Sequence, residues 1–438
     1  MKYLFINVLA GSGSTGKIAA DKCRELQKQG HQCVLAYGRG EANCEDISTY
    51  KIGTKLDYCI HGVKTRLFDR HGFGSVRATK KFLKWVRVYD PDVIWIHNIH
   101  GYYINIEMLF DYLKSTDKKV YWTLHDCWAF TGHCTYFTAV KCNKWKTQCD
   151  QCPQKGRYPS SDLFSNACNN YERKKIAFTG VSKMTLVVPS YWLKSIVRES
   201  FLKKYDIEVV HNKIDANIFK PTPSNFRARY GMDNKKIVLG VANVWEDRKG
   251  LNDFVKLSKM LDDQYVIVLV GLKRSQMRKL SKRVDSFECI ENTKGLSVVF
   301  TSVDAFVRSS MEKPLGMTTE EAQAWMTKSN GLEVGGMTIP PDINKLYDCI
   351  IKLTGGNKKK GNSSGFRCIG KLSNARELAA VYSVADVFVN PTYEDNYPTV
   401  NLEAAACGTT VITYDIGGCR ETIEYNADVG NAVSKKIY

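Results

Sequence analysis

The sequence has no apolar run approaching the roughly 18 residues at which a stretch reads as a membrane-spanning helix. It is short of acid: 45 Asp and Glu stand against 63 Lys and Arg, a formal net charge of +18. That imbalance implies an anionic partner, which could be nucleic acid, an anionic membrane surface or a phosphorylated substrate. No RRM, KH or helix-turn-helix signature is present, so nucleic acid is not the expected partner. The start resembles a secretory leader only superficially. The apolar start of MKYLFINVLAGSGSTGK is short and breaks into glycines, as a first buried strand would. The expected setting is therefore cytoplasmic, with basic faces that can touch the inner membrane surface. Cysteine is not scarce. Fifteen thiols in a reducing compartment argue against a disulfide framework, and for buried thiols with a metal site where they cluster.

At 438 residues, 44% of them hydrophobic and 25% charged, the chain can build two α/β domains. Its first half alternates β-rich runs with amphipathic stretches. YLFINVL (3–9) leads through a glycine loop into a helical pattern ending near Gly30, followed by HQCVLAYG, DVIWIHN (92–98), KVYWTLHD (119–126) and MTLVVPS (184–190). Strand–helix–strand spacing of this kind predicts a parallel sheet with helices on both faces, and ligands at the carboxyl ends of the strands. IEVVHNKID (207–215) closes this half, and the proline-containing FKPTPSNF follows as a linker. KKIVLGVAN (235–243), YVIVLVG (265–271), ADVFVNP (385–391) and TTVITYD (409–415) predict a second sheet. The expected division is 1–215 and 216–438. SFECI (286–290) and GFRCI (365–369) resemble one another, so the block between them, about 291–365, reads as an insertion in one crossover. It contains a capping-box start from Thr318 to Glu321 and a helical DINKLYDCIIKL.

The loop Gly11-Ser-Gly13-Ser-Thr-Gly16-Lys17 resembles a Walker A turn, but Ile18 stands where Ser or Thr would hold magnesium, which disfavours a P-loop NTPase. Small residues there would still let backbone amides approach a diphosphate at a helix N-terminus, or would simply make a tight turn. His97-Asn98-Ile-His100 and His125-Asp126 fall at two strand ends, where ligands gather; packed or capping histidines are the plainer reading. Arg248-Lys249-Gly250 enters a helix after a strand. Cations are mildly unfavourable there, which points to a diphosphate leaving group. In PTYEDNYPTVNLEAAACG, Asp395 and Glu403 stand eight apart around a turn that opens a helix, so one can meet sugar hydroxyls and the other a ribose. Cys134, Cys142, Cys149 and Cys152 include a C-x-x-C pair and fit one structural zinc. His133 can replace one thiol, and unligated buried cysteines are the alternative.

That last acidic segment resembles the E-x7-E signature of retaining GT-B glycosyltransferases of family 4. With DRHGFGS, HNIHGYYIN, WTLHDCWAFTGHC, WKTQCDQCP, VVPSYWL and GVANVWEDRKGLNDF, the chain is similar to bacterial exopolysaccharide transferases of the colanic-acid type. The resemblance implies two Rossmann-like domains facing across a cleft, and transfer of a hexose from a nucleotide sugar to a polysaccharide or lipid-linked oligosaccharide, with no catalytic metal. It implies Glu403 on the ribose, Asp395 with Glu394 near the hexose, Arg248 and Lys249 on the diphosphate, and the amides around Thr399 and Val400 against phosphate. It also implies that Gly11, Gly13 and Gly16 close over the diphosphate and that His125 faces the reacting sugar.

Three departures qualify the resemblance. The first acid is Asp395 rather than Glu. The hinge reads Asn212-Lys213-Ile214-Asp215 where the family has glycine second, so Lys213 either carries a strained φ or sits in a reshaped loop. Last, the chain reaches Tyr438 soon after GGCRETI, and fewer terminal helices imply looser coupling between domains. A disabled sugar-nucleotide or glycan-binding protein of the same fold is the alternative function.

Overall fold

The computed structural model describes residues 1–284, 286–290, 336–356, 363–372 and 374–424. The chain divides into two compact units, Met1–Asn212 and Lys213–Tyr438.

The first unit carries seven strands: β1 (Lys2–Asn7), β2 (Gln32–Tyr37), β3 (Ser48–Lys51), β4 (Val93–Ile96), β5 (Lys119–Thr123), β6 (Met184–Val188) and β7 (Asp206–Val209). Its helices are α1 (Gly13–Lys28), α2 (Lys55–Phe68), α3 (Val76–Tyr89), α4 (Ile106–Lys114), α5 (Ala167–Phe178) and α6 (Tyr191–Glu199). All strands run parallel in the order β3-β2-β1-β4-β5-β6-β7. The alternation within β1 shows why the sheet needs cover on both faces. Leu4 and Ile6 join one apolar cluster, whereas Phe5 joins another with Ala19, Ala20 and Cys23 of α1. Those α1 positions, with Gly16 and Leu26, recur at helical spacing and form its buried stripe.

The second unit repeats the plan with α7 (Phe226–Arg229), β8 (Lys236–Val241), α8 (Leu251–Met260), β9 (Tyr265–Val270), α9 (Arg274–Leu280), β10 (Phe287–Ile290), β11 (Gly336–Ile339), α10 (Ile343–Leu353), β12 (Gly365–Ile369), α11 (Ala375–Ser383), β13 (Val387–Asn390), α12 (Thr399–Ala406), β14 (Thr410–Tyr414) and α13 (Glu421–Glu424). The sheet is again wholly parallel, in the order β10-β12-β9-β8-β13-β14-β11. β9 is buried at all six positions. Ile267 and Leu269 face one cluster, and Val266, Val268 and Val270 face the other.

The resemblance of SFECI to GFRCI has a direct outcome: β10 and β12 are separate neighbours, paired Phe287 to Phe366 and Cys289 to Cys368. Part of the expected insertion belongs to the sheet itself, because β11 lies beside β14 with Gly336 opposite Val411. The Thr318–Glu321 helix start lies outside the described residues. Lys213 is absent from the non-glycine residues of positive φ, so the hinge carries no left-handed strain there.

The first sheet reverses its direction of winding between β1 and β4; in the second, β8 and β13 are central neighbours, and the chain crosses the sheet from β10 to β11 and back to β12. Beyond the carboxyl ends of such strands the loops diverge and leave room for a ligand.

Candidate functional site

In the first unit the loops leaving β1, β4 and β5 hold the predicted residues. Asn7, fully buried at the end of β1, accepts from the Asn98 amide at 3.1 Å and donates to Leu9 O at 2.7 Å, tying two of these loops together. The glycine loop becomes the start of α1. Gly11 and Gly13 have φ of +66° and +64°, and Ser12 at the N-cap makes no side-chain capping bond. A Cβ on Gly11 would stand 2.2 Å from Asn43 O, so packing alone already demands glycine there; Gly16 is buried in the first turn.

His97 Nδ1 lies 3.0 Å from His125 Nε2, with the two rings stacked. His125 is partly exposed, but burial of its ring lowers its pKa to about 4, with Asp126 opposing and His100 assisting the shift. His100 Nε2 meets Asp126 Oδ2 at 2.8 Å, and His100 Nδ1 meets the Tyr158 hydroxyl at 3.2 Å. Burial works against the Asp126 carboxylate, yet His100 and the Trp128 amide hold its pKa below the usual value. His97 to His100 and Trp122 to Asp126 line one pocket. His71 packs behind two of these residues, His100 and Trp128. It is buried against His100, Tyr102, Trp128 and Tyr158, and its Nε2 accepts from the Gly101 amide at 3.1 Å. Sequence reading missed Asn7, His71 and Tyr158. Only the glycine-rich context of DRHGFGS could have drawn attention to His71.

In the second unit, Arg248 and Lys249 occupy a short 3-10 turn between β8 and α8, and residues 391–398 link β13 to α12. These two segments are fastened together. Arg248 O accepts from the Tyr393 amide at 2.7 Å and the Thr392 hydroxyl at 3.1 Å, while the Arg248 guanidinium donates to Glu394 O at 3.0 Å. Lys249 is ion-paired with Asp395, both side chains mostly buried. Burial would raise the Asp395 pKa, but Lys249 and then Arg248 override it, and the carboxyl stays below its ordinary range. Glu394 is buried. Two glycines make the closeness possible. A Cβ on Gly250 (φ +72°) would stand 2.2 Å from Pro391 O, and one on Gly417 (φ +62°) would stand 2.0 Å from Asp395 O.

α12 opens at Thr399 after Pro398, which supplies no side-chain cap and no N–H. Thr399 and Val400 are half-buried on its first turn. Glu403 lies one turn on, on the same face as Thr399, and accepts from the Tyr382 hydroxyl at 3.1 Å. The structure thus joins Arg248, Lys249, Glu394 and Asp395 by direct contacts and sets Thr399, Val400 and Glu403 on the adjoining helix. Gly11, Gly13, Gly16 and His125 belong to the first unit. Cys134, Cys142, Cys149 and Cys152 line a separate pocket there.

Two Rossmann-like units, each with its polar residues on loops at the carboxyl ends of central strands, define a GT-B glycosyltransferase fold. The comparisons agree with that class. Residues 15–218 match the family described as Glycosyltransferase Family 4, and residues 351–435 match Glycosyl transferases group 1. WcaC of Escherichia coli K12, assigned to colanic acid biosynthesis as a glycosyl transferase, is 28% identical over 170 residues, 36% of this chain and 41% of that protein. The D-inositol 3-phosphate glycosyltransferase of Arthrobacter sp. FB24 is 46% identical over 50 residues, 11% of this chain and 12% of its own. The chain therefore aligns with less than half the length of either curated relative. Among solved structures, sucrose-phosphate synthase from Thermosynechococcus elongatus superposes with a TM-score of 0.56 at 15% identity, covering 96% of this chain and 82% of that one. HepE of Anabaena, in complex with UDP, gives 0.51 at 12% identity over 96% and 82%. At these identities the likeness is one of fold.

Proposed function

We propose that this chain is a retaining glycosyltransferase that moves a hexose from a nucleotide sugar to a polysaccharide or lipid-linked oligosaccharide. The observation that carries the reading is the fastening of the Arg248–Lys249 turn to the 391–398 loop, beside a helix whose first turn lacks a side-chain cap. Two cations and free-standing amide dipoles there suit a diphosphate. Glu403, oriented by Tyr382, takes the ribose hydroxyls. Asp395, released from Lys249 as the diphosphate arrives, takes hydroxyls of the hexose with Glu394 behind it. The bond from the anomeric carbon to the diphosphate oxygen breaks, its electron pair passes to that oxygen, and Arg248 and Lys249 stabilise the growing charge. The acceptor hydroxyl attacks from the face the diphosphate leaves and gives its proton to the leaving phosphate, so configuration is retained. His125 of the first unit, neutral above about pH 4, would serve as a hydrogen-bonding group rather than as an acid.

A panel of UDP-, GDP- and other nucleotide sugars tested by thermal shift identifies the donor, because a ligand bound only by the folded state raises apparent stability. Donor hydrolysis followed by NMR then reports the anomeric configuration of the released sugar. No stabilisation by any nucleotide sugar, or an inverted product, ends this reading.

A further inference from the structure

Between β5 and α5 the chain runs through residues 124–166 with only two short 3-10 turns, Trp128–Phe130 and Lys144–Lys146, as regular structure. Such a segment needs something other than a backbone ladder to fix it. Cys134, Cys142, Cys149 and Cys152 all line one pocket in it, together with His133, Phe137 and Trp145. The Cys134 and Cys152 thiols are hydrogen-bonded to each other. Every one of the four is a free thiol.

Two buried groups beside this pocket make little sense without a charge in it. His133 is 2% exposed. Its Nδ1 is held by Asp69 Oδ1 at 2.6 Å, while its Nε2 is buried without a partner. An imidazole oriented from behind by a carboxylate, with its front nitrogen unsatisfied, is the arrangement found around metal centres. Lys174 on α5 is 1% exposed, and its Nζ donates to Trp128 O at 2.8 Å and Thr131 O at 3.0 Å. No carboxylate pairs with it among the described ion pairs, and both its hydrogen bonds go to backbone carbonyls. A buried ammonium without a counter-charge is costly.

We propose that Cys134, Cys142, Cys149 and Cys152 bind one zinc ion as thiolates, with the Lys174 ammonium as its counter-charge and His133 beside it. Each thiol gives its proton to solvent as its sulfur takes the metal, so Zn²⁺ and four thiols yield a centre of charge −2 and four protons. The Lys174 ammonium then offsets part of that charge. Four sulfurs close a tetrahedral shell and leave no position for a reactive water, so the ion is structural. Among the described residues no three such side chains stand at ready-made coordinating positions. Binding therefore draws the loop inward, and Cys142 and Cys152, the two half-buried members on irregular backbone, move most.

The test uses the full chain purified without chelator or histidine tag. Elemental analysis should give one zinc per chain, and cobalt substitution should give the absorption of a four-sulfur site. Cys149→Ser with Cys152→Ser should lose the metal, whereas Cys289→Ser in the second unit keeps it. Lys174→Met should weaken zinc binding by about tenfold or more, as loss of an outer partner does. If the double variant fails to fold, chelator titration of the wild type decides instead: four thiols should become reactive together as zinc leaves. Zinc well below one per chain, a disulfide among the four, or a cobalt spectrum of three sulfurs and one imidazole overturns the proposal.

Discussion

His61 and His125 both titrate near 4 in the folded protein, because burial disfavours the charged ring. In the unfolded chain both return to about 6.5, so the unfolded state takes up protons first as pH falls. Their stabilising effect is complete above about pH 6.5 and drains away toward pH 4. For His61, fully buried, this amounts to about 3 kcal/mol. Chemical denaturation of the chain between pH 7.5 and 4.5 should show this loss in the first unit, and a flat profile would contradict the buried-neutral assignment. At the donor site, Glu403→Ala and Lys249→Ala should each lower transfer by about 30- to 1,000-fold, equivalent to about 2–4 kcal/mol, with the far-UV spectrum unchanged. Wild-type turnover in either variant removes those residues from the donor site. Tyr382→Phe deletes one hydrogen bond to Glu403, and a loss of about fivefold in kcat/KM is expected from a bond worth about 1 kcal/mol.

The 391–398 loop is held from two sides by backbone approaches that only glycine permits, at Gly250 and Gly417. Gly417→Ala forces a methyl group onto Asp395 O and also strains a left-handed φ, so the loop must shift. We expect donor KM to rise by tenfold or more while kcat changes less, measured by steady-state kinetics; unchanged KM would show that the loop has slack. Sequence reading did well with elements that are buried on both faces, since runs such as VIVLV have no other comfortable place. It did less well at edges. β3 was not foreseen because STYK is largely exposed and has no apolar run to announce it. The pairing of β10 with β12 was invisible for a different reason: likeness between two segments does not say whether they are alternatives or neighbours. The placement of β11 beside β14 could not be read at all, because it joins residues far apart in the chain.

Across the whole molecule, alternation of strands and helices was enough to give two parallel-sheet units, whereas the acidic segment was joined to Arg248 and Lys249 only through the family resemblance. The polar wall of the first unit was legible only in part, because His71, Tyr158 and Asn7 come from loops that no periodicity connects. The net charge of +18 belongs to this scale as well. Among the described residues no helix is long and apolar enough to cross a membrane. Attachment through basic faces, if it occurs, would draw on the negative potential of anionic lipid. Sedimentation with vesicles rich in anionic lipid should show binding that weakens steeply as salt is raised. Salt-insensitive binding, or none, counts against contact with a membrane surface. The Lys249–Asp395 pair has a further consequence. The ammonium is not waiting bare for a phosphate; it already has an anion of its own. An arriving diphosphate therefore swaps one counter-ion for another, and gains only the difference between them. When the sugar has gone, the displaced carboxylate is still tethered beside the ammonium and competes at once to return. On the proposed donor site, the contact that keeps the resting loop in place would also help to expel spent nucleotide.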